Sequence, residues 1–115
     1  MIEKVSYLQS DQLSVVFLDP DTGVHTDRKH NLFVTISEVK LLVNCNKEAV
    51  IGVYHHKIAG KFTYHNLVLK FQEEHQSFAY DFGAAAVVFV SGSNKSLERI
   101  KSIVAERFNP ERIIV

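Results

Sequence analysis

Hydrophobic and polar positions divide the second half of the chain into strands and a helix. Residues 84–90 are apolar without exception, so both faces of an extended segment here avoid water, as an interior strand of a sheet requires. In the preceding segment, Phe78, Tyr80 and Phe82 alternate with other residues at the period of a strand. The pattern predicts a pair of strands, the second of which is buried on both sides.

A helix is predicted directly after this buried strand. Its apolar residues recur three or four positions apart with charged residues between them, and they are Leu97, Ile100, Ile103, Val104 and Phe108. Ser93 or Asn94 can accept from the first free N–H groups, and Pro110 ends the helix because it has no N–H donor. The helix covers one face of the strand, and the other face packs under a further helix or against a second molecule.

The first 31 residues predict a hairpin followed by a long polar loop. Residues 2–8 and 13–18 are strand-like runs separated by four polar residues, which favours a hairpin. Apolar residues are scarce from 19 to 31, where Asp-Pro and Thr-Gly are turn dipeptides. Loops of this length are often functional, so the segment is a candidate for partner contact.

A second helix is predicted between this loop and the central strands. Thr35 and Glu38 form a capping box, and apolar residues continue at helical spacing over Ile36–Cys45. Cys45 carries no sequence signature of an activated thiol, so we expect a buried structural cysteine. Because it is the chain's one cysteine, it cannot form an internal disulfide, which favours a reducing compartment.

The middle of the chain contains one clear strand and one ambiguous run. Residues 49–56 predict a strand in which Gly52 marks a bulge or a close backbone approach. Residues 61–71 favour a strand by composition, although four of their apolar residues have helical spacing: Tyr64, Leu67, Val68 and Phe71. The glycine before this run and the polar residues after it favour a strand, so we predict two successive hairpins.

These elements predict the fold class α+β. The predicted sheet is antiparallel, with five to seven strands and two helices packed on one face, in the order β-β-α-β-β-β-β-α and a short last strand at residues 112–115. A chain of 115 residues is long enough to bury one core, so residues 1–115 are expected to form a single domain.

Charge and composition narrow the classes of function. Thirteen basic and thirteen acidic residues cancel, so the chain lacks the overall positive field that attracts proteins to nucleic acid. Neither a secretory leader nor an apolar run long enough to span a bilayer is expected. We therefore expect the cytoplasm, or the nucleus in a eukaryote, and no membrane partner.

Histidine and aspartate residues that could bind a metal are present, but their spacing does not match a metal site. His55, His56, His65 and His75 show no zinc-ligand spacing, and the predicted turn between strands keeps the imidazoles apart. Asp19 and Asp21 begin a pattern like that of a calcium loop, which then fails at its glycine and glutamate positions. The sequence predicts no catalytic residues, no metal and no cofactor.

One helix start has the geometry of a weak anion site. Gly92, Ser93, Asn94 and Lys95 lie where a strand passes into a helix, and the free N–H groups of a helix start can hold phosphate. The full phosphate-loop spacing is missing, and simple helix capping accounts for the same residues.

Aromatic residues are concentrated in the predicted sheet: Phe62, Tyr64, Phe71, Phe78, Tyr80, Phe82 and Phe89. Most are expected in the core. A sheet with helices on one side nevertheless leaves its other face open, and an open face that carries tyrosines is a natural docking surface.

Three stretches of the second half, TYHNLVLKF, FAYDFG and VVFVSGSNKS, resemble one repeat of the TATA-box-binding protein family. The resemblance covers mainly residues 63–108. It implies that Tyr64 and Tyr80 are wedges that open base steps from the minor groove, that Lys70 contacts a phosphate and that Phe89 faces the groove. The family's saddle contains two repeats and this chain has room for one, so the resemblance implies a homodimer.

The leading hypothesis is a non-enzymatic binding or regulatory module, such as an inhibitor or immunity-type protein. It presents the aromatic sheet surface to a protein partner or to a second copy, with Asp19, Asp21 and Arg28 setting specificity at the rim. A nucleic-acid-binding homodimer is the alternative. A small hydrolytic or phosphate-handling enzyme that uses His55, His56 or the Gly92 helix start is the second alternative.

Overall fold

A computed structural model describes residues 5–10, 13–18, 24–25, 34–56 and 63–115. The elements in chain order are β1 (Val5–Ser10), β2 (Leu13–Leu18), β3 (Val24–His25), β4 (Val34–Thr35), α1 (Ile36–Cys45), β5 (Val50–His56), α2 (Tyr64–Gln72), β6 (Gln76–Asp81), β7 (Ala85–Ser91), α3 (Asn94–Arg107), a 3-10 turn (Pro110–Arg112) and β8 (Ile113–Ile114). In this part of the chain, no helix has the length and hydropathy needed to cross a membrane.

One main sheet has the strand order β1-β2-β5-β7-β6-β8, and β3 pairs with β4 separately. Every pairing in the main sheet is antiparallel except that of β2 with β5, which is parallel. The predicted α+β class with a mainly antiparallel sheet is therefore confirmed. The opening hairpin and the short last strand are also present.

Helices cover both faces of the sheet. On the first face, α1 and α2 bury a cluster that includes Val39, Phe71, Val53 and Val88. On the second face, α3 buries a cluster that includes Val104, Val50 and Phe89. The prediction that two helices pack on one face and leave the other face open is wrong, because β5 and β7 are apolar on both sides and each side requires a cover.

Residues 61–71 form helix rather than strand from Tyr64 onward, which corrects the predicted element order. Thr63 caps this helix by accepting from the backbone N–H of Asn66. The helical spacing puts Leu67, Val68 and Phe71 in the core, and burial of that stripe outweighs the strand propensity of the run. The order after α1 is therefore β-α-β-β-α, with one hairpin instead of two.

Gly52 marks a close approach and not a bulge. The pairing of β5 with β7 continues without interruption through Gly52 and Phe89. A Cβ atom at position 52 would lie 3.0 Å from the ring of Phe17 and 3.4 Å from that of Phe89. The missing side chain makes room for these two rings on the α3 face of the sheet.

A pair of leucines distinguishes the helix at α2 from the strand that its composition favours. Leu67 is fully buried and Leu69 is 47% exposed, whereas a strand would place both on the same face. We expect Leu67→Ala to lower the free energy of unfolding by about 2–5 kcal/mol and Leu69→Ala by less than about 0.5 kcal/mol. Urea unfolding of the two variants measures this, and equal losses would contradict the helix.

Candidate functional site

An apolar groove lies on the second face of the sheet, beside α3, and encloses about 330 Å³. We call it the α3 groove. Its lining residues are Val15, Phe17, Tyr54, Tyr80, Phe82, Val87, Phe89, Arg99, Ile100, Ile103, Val104 and Phe108. The groove exists because two helices cover the first face of the sheet while α3 alone packs on the second.

Large apolar side chains that remain exposed are concentrated around this groove. Among the described residues seven such side chains are exposed, and four of them line the groove. These are Tyr54 (37% exposed), Phe82 (51%), Ile103 (37%) and Phe108 (50%). Single exposed apolar residues are ordinary, but a contiguous set around a concavity is typical of a binding surface.

Three aromatic rings form one end of the α3 groove. The ring centroids of Tyr80 and Phe82 are 4.7 Å apart, and those of Tyr80 and Phe108 are 5.5 Å apart. The Tyr80 hydroxyl accepts from the backbone N–H of Asn109 at 3.1 Å, which ties the end of α3 to the sheet. Tyr80 is therefore the fixed member, while Phe82 and Phe108 present half of their surface to solvent.

Positive charge lies on the helical edge of the groove. Arg99 is the one charged side chain among the described lining residues, and none of these residues is a carboxylate. The spacing of four residues places Arg99, Ile103 and Arg107 on one stripe of α3. Within the described part of the chain both salt bridges use lysines, Lys40 with Glu74 and Lys70 with Glu73, so neither arginine has an acidic partner there.

Two predicted site residues, Tyr64 and Lys70, lie on α2, across the sheet from the groove. The Tyr64 hydroxyl donates to the carbonyl oxygen of Gly83 at 2.8 Å, and its ring meets that of buried His55 edge-on. Lys70 is half exposed and lies 3.9 Å from a carboxylate oxygen of Glu73. Neither contributes to the groove.

Two other predicted residues, Tyr80 and Phe89, do line the α3 groove, although both are more than nine-tenths buried. The ring of Phe89 stacks on that of Phe78 at 4.9 Å. These residues form the inner surface of the groove rather than free wedges. The predicted rim residues Asp19, Asp21 and Arg28 lie outside the described residues.

Four residues at the start of α3 were predicted as an anion site: Gly92, Ser93, Asn94 and Lys95. The Ser93 side chain accepts from the backbone N–H of Ser96, whose own hydroxyl donates to the carbonyl oxygen of Glu48. A Cβ atom at Gly92 would lie 3.3 Å from the carbonyl oxygen of Lys47. Capping and close packing against residues 47–48 thus account for the glycine and the serine.

Groups that carry out chemistry do not converge in the described ranges. No set of three or more His, Cys, Asp or Glu side chains there is placed to hold a metal ion. His55 is buried on the first face, while His65 is exposed on α2. Cys45 is exposed at the end of α1, so the prediction of a buried cysteine is wrong.

Some residues that line the α3 groove belong to predicted helices or strands but were not predicted to form a site. Ile103 and Phe108 belong to the predicted apolar face of α3, and Phe17 and Tyr54 belong to predicted strands. Phe17 and Tyr54 line the same groove because β2 pairs in parallel with β5, which joins segments more than 30 residues apart. Periodicity within one segment carries no signal for that pairing.

Comparison of the chain with protein-family models, with curated proteins and with solved structures gives no match. The resemblance to the TATA-box-binding protein family stays a prediction. The α3 groove is accordingly interpreted on its own geometry and charge.

The Tyr64 hydrogen bond gives a pH-dependent test. Burial, and secondarily the negative charge of Asp81, raises the pKa of Tyr64 above its usual 10.0. A raised folded pKa means that its contribution to stability is complete below pH 10.0 and is lost as the pH rises through the folded value. We expect Tyr64→Phe to cost about 0.5–1.5 kcal/mol at neutral pH, and the deficit relative to wild type to shrink in alkali. Urea unfolding of both proteins from neutral pH to above pH 10.0 measures this deficit in unfolding free energy. A deficit that stayed constant would contradict a stabilising hydrogen bond from the Tyr64 hydroxyl.

Proposed function

We propose that this protein is a non-enzymatic binding or regulatory module of the inhibitor or immunity type, and that the α3 groove is its partner-binding site. The concentration of half-exposed apolar side chains around one concavity carries the proposal. The sequence led us to expect the partner on an open face of the sheet. Helices cover both faces, so we instead place the partner in the α3 groove.

The composition of the groove supports a protein as the partner. Interfaces are enriched in aromatic residues and arginine at their centres, and the lining combines Tyr54, Phe82 and Phe108 with Arg99. Tyr80 and Phe89 form a rigid inner surface because both are held within the core. A firm concave site loses little conformational entropy when an apolar side chain enters it.

The partner is either a different protein or a second copy of this chain, and both use the same apolar surface. We expect the interaction in the cytoplasm, or in the nucleus of a eukaryote, where an exposed thiol such as that of Cys45 stays reduced. Sedimentation of the purified protein distinguishes the two partners, because self-association depends on concentration and needs no other component.

Single-stranded nucleic acid is a second candidate. Half-exposed Phe82 and Phe108 offer rings for base stacking in a groove whose lining also includes the cation Arg99. Such binding is expected to weaken steeply with added salt, whereas an apolar protein contact is not.

A charge placed in the α3 groove tests the proposal. Ile103→Glu puts a carboxylate among apolar groups on the groove edge, whereas Leu41→Glu puts the same charge on the exposed side of α1. We expect a tagged wild-type protein to retain a stoichiometric partner from its native lysate, Leu41→Glu to retain it equally, and Ile103→Glu to lose at least about 30-fold in affinity.

Two controls complete this experiment. Thermal unfolding shows whether both variants remain folded, which their exposed positions favour. Equal retention by the two folded variants, or retention of nothing by a wild-type protein that is also monomeric, would contradict binding at the groove.

A further inference from the structure

The geometry points to the chemistry of the partner, an inference that rests on the proposed function. We propose that the α3 groove binds a short acidic amphipathic segment of another protein. The apolar side chains of this segment fill the groove, and one of its carboxylates pairs with Arg99 at the groove edge.

The apolar part of the proposal follows from the size and lining of the groove. An engineered cavity of about 150 Å³ holds one benzene ring. The α3 groove has about 330 Å³ and is lined by aromatic and aliphatic side chains, so it accommodates about two side chains of ring size. Because Phe82 and Phe108 stay half exposed, an entering segment contacts them from the solvent side.

The acidic part follows from charge. Arg99 reaches the apolar lining, and Arg107 lies two turns further along the same stripe of α3. Among the residues that the structure describes, neither has a carboxylate partner and none that lines the groove is acidic. A guanidinium group forms strong paired hydrogen bonds with a carboxylate, and desolvation beside apolar groups strengthens them.

The same charges disfavour the other occupants. In a symmetric dimer that buries one groove against the other, Arg99 meets groups of the same lining, and none of the described lining residues is a carboxylate. A nucleic-acid strand requires cations along its backbone, whereas the described part of the lining has one charged residue, Arg99, and the chain has zero net charge.

Selection from a phage-displayed library of random short peptides tests this inference on the purified full chain. Peptides are selected on the wild-type protein and counter-selected on Ile103→Glu. We expect the retained peptides to combine large apolar residues with Asp or Glu. Their synthetic forms should bind Arg99→Gln about tenfold more weakly, with part of the affinity recovered in Arg99→Lys. Lys101→Gln, which removes the same charge from another side of α3, should bind as wild type does.

Each other outcome overturns a stated part of the account. Apolar peptides without acidic residues, unaffected by Arg99→Gln, would overturn the acidic partner and leave binding at the groove standing. A preference for basic peptides, or retention of an oligothymidylate probe alone, would also overturn it. A selection that yields no peptide dependent on Ile103 would overturn both this inference and the proposed function.

Discussion

The pairing of β5 with β7 is the contact on which the rest of the structure depends. Seven residue pairs join the two strands at the centre of the main sheet, and each strand has another strand on its outer side. Both carry mainly apolar side chains on both faces, with buried His55 and Ser91 as exceptions, so burial of these side chains requires cover above and below. Helices α1 and α2 supply that cover on one face, and α3 supplies it on the other.

The candidate site is a consequence of this unequal cover. Two helices seal the first face, but α3 alone leaves Phe17 and Tyr54 beside a concavity on the second. The rings that form its inner surface are the same rings that stabilise the core, so the groove is firm without additional residues devoted to it. In the proposed function, its selectivity depends on the few groups at its edge, above all Arg99.

Local signals predicted those elements whose residues all favour one structure. The uninterrupted apolar run at β7 and the capping box at Thr35 of α1 each correspond to an observed element. The strand prediction for residues 61–71 is wrong because strand propensity and helical spacing indicate different structures there. Burial of Leu67 and Phe71 in the core favours the helix. For the apolar β7 strand a second covering helix was one possibility, but the predicted sheet had helices on one face, which is wrong. The groove itself depends on long-range pairing, which no local pattern encodes.

Cover on both faces is tested most directly by two identical substitutions in β5. Val50 and Val53 are fully buried and face opposite sides of the sheet, Val50 toward α3 and Val53 toward α1 and α2. A threonine at either site buries a hydroxyl in apolar surroundings. We expect the unfolding free energies of Val50→Thr and Val53→Thr both to fall by about 1–3 kcal/mol. A loss for Val53→Thr with none for Val50→Thr would show an open second face and contradict the account.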